Sequence, residues 1–80
     1  MLSVNQSMDN AMIEHCKNQQ VYIGRLFKGQ EIIGMGFHSV EGVCTKIYFD
    51  RLSDAIVYVL KDKEEKLHYV FEFCLGNEIV

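Results

Sequence analysis

Eighty residues, 49% of them hydrophobic and 24% charged, fit one small globular domain spanning residues 1–80 and leave no room for a second. The formal net charge is −3 with acids and bases interspersed, so no basic stripe marks a phosphate-tracking surface and nucleic acid is disfavoured as a partner. No run approaches the roughly 18 uninterrupted apolar residues of a membrane span. The opening residues, Met1-Leu2-Ser3-Val4-Asn5-Gln6, also lack the cationic-then-apolar order of a secretory leader, and a cytoplasmic protein with no membrane partner is expected. Cys16, Cys44 and Cys74 are odd in number and far apart, which fits reduced, buried thiols better than a disulfide framework.

Along the chain, residues 7–19 set Met8, Ala11, Met12, His15, Cys16 and Gln19 at the three-and-four spacing of one helical face. The period then changes to two. Residues 21–28 alternate Val21, Ile23, Arg25 and Phe27 with Tyr22, Gly24, Leu26 and Lys28, and Gly29-Gln30 reads as a turn. Residues 31–40 put Ile33, Met35 and Phe37 on one face and Ile32, Gly34, Gly36 and His38 on the other. Glu41-Gly42 is read as the next turn, and residues 43–49 alternate again, so three strands in a meander are expected.

Asp50 stands where an N-cap would, and Leu52, Ala55, Ile56, Val59 and Leu60 follow at helical spacing. That five-position match favours a second helix over the competing strand, in which Ile56, Tyr58 and Leu60 would alternate. Residues 62–66 read as a turn, and residues 67–74 as a strand with Leu67, Tyr69, Phe71 and Phe73 opposed to His68, Val70, Glu72 and Cys74. The expected architecture is therefore α+β: N-terminal helix, three-stranded antiparallel meander, second helix and C-terminal strand (α-β-β-β-α-β), with the helices mainly on one face of a four-stranded sheet.

In that arrangement Ile33, Met35, Phe37, Ile47, Phe49, Phe71 and Phe73 form the core face. The opposite face carries Tyr22, Leu26, Ile32, Gly34, Gly36, His38, Tyr48, His68 and Val70. Apart from Val70, these are the expected binding residues, because an apolar face of this kind on a small domain needs a cover. A tyrosine lying over the strand glycines, or the N-terminal helix packing there, would serve the same end.

Chemical motifs are missing. Gly34-Met35-Gly36 has neither the third glycine nor the following helix of a dinucleotide loop, and no glycine run leads into Lys-Ser or Lys-Thr. His15, His38 and His68 with the three cysteines do not stand at zinc-ligand spacing. Nothing local gives any cysteine a base or an electropositive setting. No catalytic residue, metal or cofactor is expected. The segment Gly34-Met35-Gly36-Phe37-His38-Ser39 is loosely similar to the glycine-spaced part of the double-stranded-RNA-binding domain, whose order of elements also begins helix, three strands, helix. Where that family carries phosphate-gripping lysines, this chain has Val40-Glu41-Gly42 and Asp50-Arg51-Leu52-Ser53-Asp54, and the resemblance implies no function here.

The expectation is a non-enzymatic interaction protein that binds another protein, or itself as a homodimer. Compact chains without a chemical motif occur among inhibitors, antitoxins, immunity proteins and phage proteins that block host complexes, anti-CRISPR proteins included, an analogy of class alone. The alternative is a small ligand or single-stranded nucleic acid on the same face, stacked on Tyr22 and Tyr48 with His38 as a polar contact.

Overall fold

In the computed structural model, which describes residues 4–80 with side chains from residue 10 onward, helix α1 (Val4–Gln19) runs through a short 3-10 turn (Gln20–Tyr22) into five strands. These are β1 (Leu26–Ile33), β2 (Gly36–Asp50), β3 (Ala55–Lys61), β4 (Leu67–Phe71) and β5 (Leu75–Glu78), with a second 3-10 turn (Glu72–Cys74) between the last two. The side chain of Met8, placed on the expected helical face, lies outside the described residues. Every pairing is antiparallel and the strand order is β4-β3-β2-β1-β5. The two helices and four strands expected from sequence are thus replaced by one helix and a five-stranded sheet.

Two glycines account for the first difference. Gly29 and Gly42, read as turn signals, lie inside strands and are paired in register, Gly29 with Val40 and Gly42 with Phe27. Each permits a close approach instead. A Cβ on Gly42 would stand 2.6 Å from the carbonyl oxygen of Lys61, and one on Gly29 would stand 2.9 Å from Cγ1 of Val70. The reversal falls at Gly34-Met35, where Gly34 takes φ 61° and two loop residues join the paired Ile33 and Gly36. Glycine at the first central position with a positive φ is the II′ geometry that matches strand twist.

The second difference lies in residues 50–60. Asp50 does accept a backbone amide, from Leu52 at 3.1 Å, and also the Ser53 hydroxyl at 2.7 Å, but it caps a turn, not a helix. Asp54 closes that turn with φ 54°, and Ala55–Lys61 runs on as β3 with six consecutive buried residues. Burial on both faces erases the usual strand alternation, and β-branched Ile56, Val57 and Val59 suit a pleated surface better than a helix. The third is at residues 67–74, where the expected single strand ends as β4 at Phe71 and gives way to the 3-10 turn, which carries the chain from one margin of the sheet to β5 at the other.

The core lies between α1 and one face of the sheet: Cys16 from the helix with Phe27, Cys44, Ile47, Ile56, Tyr58, Leu60 and Val70. Polar groups fix the helix there. Gln20 Nε2 donates to the carbonyls of Cys16 and Ile47 at 3.0 and 3.1 Å, and the Tyr58 hydroxyl donates to Gln19 Oε1 at 3.1 Å. On the sheet's other face Val57 and Val59 are also buried, flanked in register by Tyr48 and Phe71 and by Lys46 and Tyr69. Of the seven residues expected in the core, Ile47 is buried, whereas Ile33, Met35, Phe37 and Phe73 are exposed. No helix among the described residues is long and apolar enough to cross a membrane.

Candidate interaction surface

β1 and β2 are unequally supported along their length. β3 pairs with β2 only from Val43 onward, and the C-terminal strand meets β1 only between Leu26 and Gly29. Between Gln30 and Glu41 the hairpin is therefore an arm, and among the described residues no third strand flanks either side of it. Ile32 and Phe37 are directly paired and share one face, while Ile33 lies on the other. Their exposures are 40%, 62% and 53%, and Met35 at the tip reaches 104%. A two-stranded ribbon carrying apolar side chains on both faces gains little from water on either side and is marginal by itself.

The arm's backbone edges follow from the register. Ile79 N donates to Leu26 O, so Leu26 faces outward from β2 and, by alternation, so do Gln30 and Ile32. Cys44 N donates to Arg25 O, so Val43 faces β3, and Phe37, Ser39 and Glu41 turn their N–H and C=O groups to the same open side.

A side-chain clamp holds the arm's root. His68 on β4 places Nδ1 2.9 Å from Glu31 Oε1 and Nε2 2.7 Å from Asp62 Oδ2. Glu31 Oε2 accepts the amide of Tyr69 at 2.9 Å, and Asp62 Oδ1 accepts the amides of Glu64 and Lys66, each at 2.9 Å. With a carboxylate at each ring nitrogen, the imidazolium is the form that donates from both. Hydrogen bonds to Asp62 and then Glu31 accordingly raise the His68 pKa above its ordinary value. Burial pushes the Glu31 carboxyl upward, but the His68 and Tyr69 hydrogen bonds outweigh it and hold the pKa below normal. The His68 hydrogen bond also lowers Asp62.

The eight residues expected to form one binding face divide among five places. Ile32, Gly34, Gly36 and His38 lie together on the arm, and Leu26 lies at its root, opposite Val43. Tyr22 packs edge-on against Phe27 with ring centres 5.8 Å apart, at the border of the core. Tyr48 sits beside Val57 with the Lys46 amine 5.2 Å from its ring centre, and His68 belongs to the clamp. Ile33, Met35 and Phe37 complete the exposed arm, although their alternation pointed to the core. The dipeptide Gly34-Met35, a glycine-first two-residue loop between β-forming runs, is the signal that identifies the arm.

Burial raises the pKa of the Cys16 and Cys44 thiols, the reverse of an activated nucleophile. Among the described residues no group of three His, Cys, Asp or Glu side chains is placed to hold a metal ion. What the surface offers is apolar contact and free backbone edges. Comparison with known proteins leaves that geometry as the guide to function: no family model, no curated protein and no solved structure matches the chain.

Proposed function

We propose that this chain is a non-enzymatic protein-binding module whose anchor is the β1–β2 arm. The observation that carries the reading is the arm's end, where Ile33, Met35 and Phe37 are exposed around a tight glycine turn. Apolar side chains held on a structured ribbon lose little further conformational freedom on binding, so their burial favours a complex strongly. The ligand chemistry is protein-like. From Gly29 to Gly42 the charged residues are Glu31 and Glu41, with no Lys or Arg, a poor match for phosphates and a good one for an apolar protein surface or a strand edge. An inhibitor or accessory protein that acts by occupying its target needs nothing more than such a contact.

The test compares the wild-type chain with Met35→Asp and Phe37→Asp in affinity capture from nuclease-treated lysate, alongside light scattering of each purified protein. Wild-type protein retains a stoichiometric protein partner, another protein or its own second copy, and both variants lose it while keeping the wild-type circular dichroism. Equal retention by all three, or a wild-type chain that is monomeric and retains nothing, overturns the reading.

A further inference from the structure

We propose that the arm's occupant is a second copy of the same chain: two β2 edges pair antiparallel across a two-fold axis at Ser39, and each Met35 enters the hollow beside its partner's Gly42. This rests on the arm being an interface and adds what covers it. Phe37, Ser39 and Glu41 point their backbone groups to the open side, and the stretch between them contains no proline, no lysine and no bulge, the devices that normally protect an edge. An edge of this kind is a template for another strand, and the chain carries an identical one.

The register follows from which groups are free. An axis at Ser39 sets Ser39 against its own counterpart and Phe37 against the partner's Glu41, engaging all three outward residues. An axis one residue later would set Phe37 against the partner's Val43, whose outward side is already paired with Lys61. An axis one residue earlier would use Phe37 and Ser39 alone and push Glu41 onto the partner's turn. With the axis at Ser39 the pairing ends at Phe37 and the partner's Glu41, and the tip, Met35 and Gly36, comes level with the partner's Val43 and Gly42 just beyond the paired stretch. A hollow of about 460 Å³ opens at that place, lined by Leu26, Gly42 and Val43 together with Glu41 and the turn residues Asp62, Lys63 and Glu64. The most exposed side chain of the arm and this hollow are therefore brought together twice in one symmetric contact. Charge does not oppose it. The two Glu41 residues stand about 14 Å apart at a rise of about 3.4 Å per residue, beyond the screening length of about 10 Å at 0.1 M salt.

The experiment uses the full chain. Light scattering is expected to give twice the 9.3 kDa chain mass, and Ser39→Pro is expected to return it to the monomer mass. The Ser39 amide faces outward, so proline there removes the intermolecular donor and leaves the β1–β2 bonds in place; unchanged circular dichroism and thermal midpoint verify this. Facing Cα atoms in a hydrogen-bonded pair lie about 5.5 Å apart, within disulfide range. Oxidised Ser39→Cys is thus expected to give a reducible covalent dimer, whereas Gln30→Cys, on the opposite edge, is not. A monomeric wild type, or a dimer insensitive to Ser39→Pro and linked through Gln30→Cys, overturns the proposal. If the wild type is monomeric yet Phe37→Asp abolishes capture of another protein, the arm remains an interface and only its occupant is wrong. If a dimer survives both Phe37→Asp and Ser39→Pro, both readings fall.

Discussion

Glu31 and His68, separated by 37 residues in sequence, meet with Oε1 and Nδ1 2.9 Å apart and join two strands that are not neighbours in the sheet. β1 and β4 are separated by β2 and β3 in the strand order, so this pair, with the Tyr69 amide donating to the second oxygen of Glu31, draws the sheet round on itself at the place where the arm departs. The free edge of β4 is thereby covered by a side chain instead of a strand.

The clamp makes stability depend on pH in a definite direction. His68 has a folded pKa above its ordinary 6.5, so its contribution is complete below the unfolded pKa and is lost as pH rises through the folded value. Glu31 and Asp62 are lowered, so theirs is present above the unfolded carboxylate range and lost as pH falls through the folded values. The thermal midpoint is therefore expected to be highest in the weakly acidic window between these limits and to fall on the alkaline side. His68→Gln is expected to flatten the alkaline fall, and an unchanged slope in that variant would show that another group is responsible. Thermal melts by circular dichroism from pH 4 to 9 provide the measurement.

Glycine substitutions test the corrected register. Gly42→Ala would place a Cβ 2.6 Å from Lys61 O, against backbone that cannot step aside, whereas Gly36→Ala makes ordinary contacts, with the end of His38 at 3.6 Å and with Ile33 O at 3.8 Å. The first is expected to cost about 1–3 kcal/mol or more, the second to stay within about 0.5 kcal/mol. Were residues 41–42 a turn and residue 36 a strand interior packed beneath a tyrosine, the order would reverse. Urea unfolding of the two variants decides between them.

Those glycines also show where the sequence is legible and where it is not. α1 was visible because one element satisfies one period: Cys16 is buried, and Gln19 and His15 on the same face reach Tyr58 and Glu72. A local pattern misplaces the hairpin because Gly29 and Gly42 are demanded by contacts with Val70, Cys74 and Lys61, residues distant in the chain. Along β2 the register slips between Cys44 and Lys46, which puts Cys44 and Ile47 together in the core although strict alternation separates them. β3 imitated a helix because both of its faces are covered. Half of the expected binding residues fall on the arm; the clamp partners Glu31 and Asp62 carry no local signal, since only the fold brings them to His68.

Tyr58 gives a spectroscopic check on how α1 is seated. Its ring is 2% exposed, and burial first, then the Glu72 charge, push its pKa up to about 12. In an alkaline ultraviolet titration of the folded protein this tyrosine is expected to ionise well after an ordinary phenol near 10. Tyr58→Phe is expected to remove that late step and, by leaving Gln19 Oε1 without its donor, to cost about 0.5–1.5 kcal/mol. Absence of the late step assigned to Tyr58 would mean that the helix does not cover this ring.

Substitutions in the arm and in the core separate a surface from a scaffold. Met35 and Phe37 are 104% and 62% exposed, so Met35→Asp is expected to change the unfolding free energy of the isolated chain by no more than about 0.5 kcal/mol, and Phe37→Asp, which loses the cross-strand pair with Ile32, by about 0.2–1 kcal/mol. Ile56, at 1% exposure, lies in the core, and Ile56→Ala is expected to cost about 2–5 kcal/mol. The sequence pattern alone predicts a large cost at all three positions, since it places Met35 and Phe37 in the core as well. The comparison is made in urea at a concentration where the chain is monomeric, because in a complex the arm residues gain cover and their substitution acquires a concentration-dependent cost. A large loss of monomer stability from Phe37→Asp would return this residue to the core and remove the arm from the molecule's interaction surface.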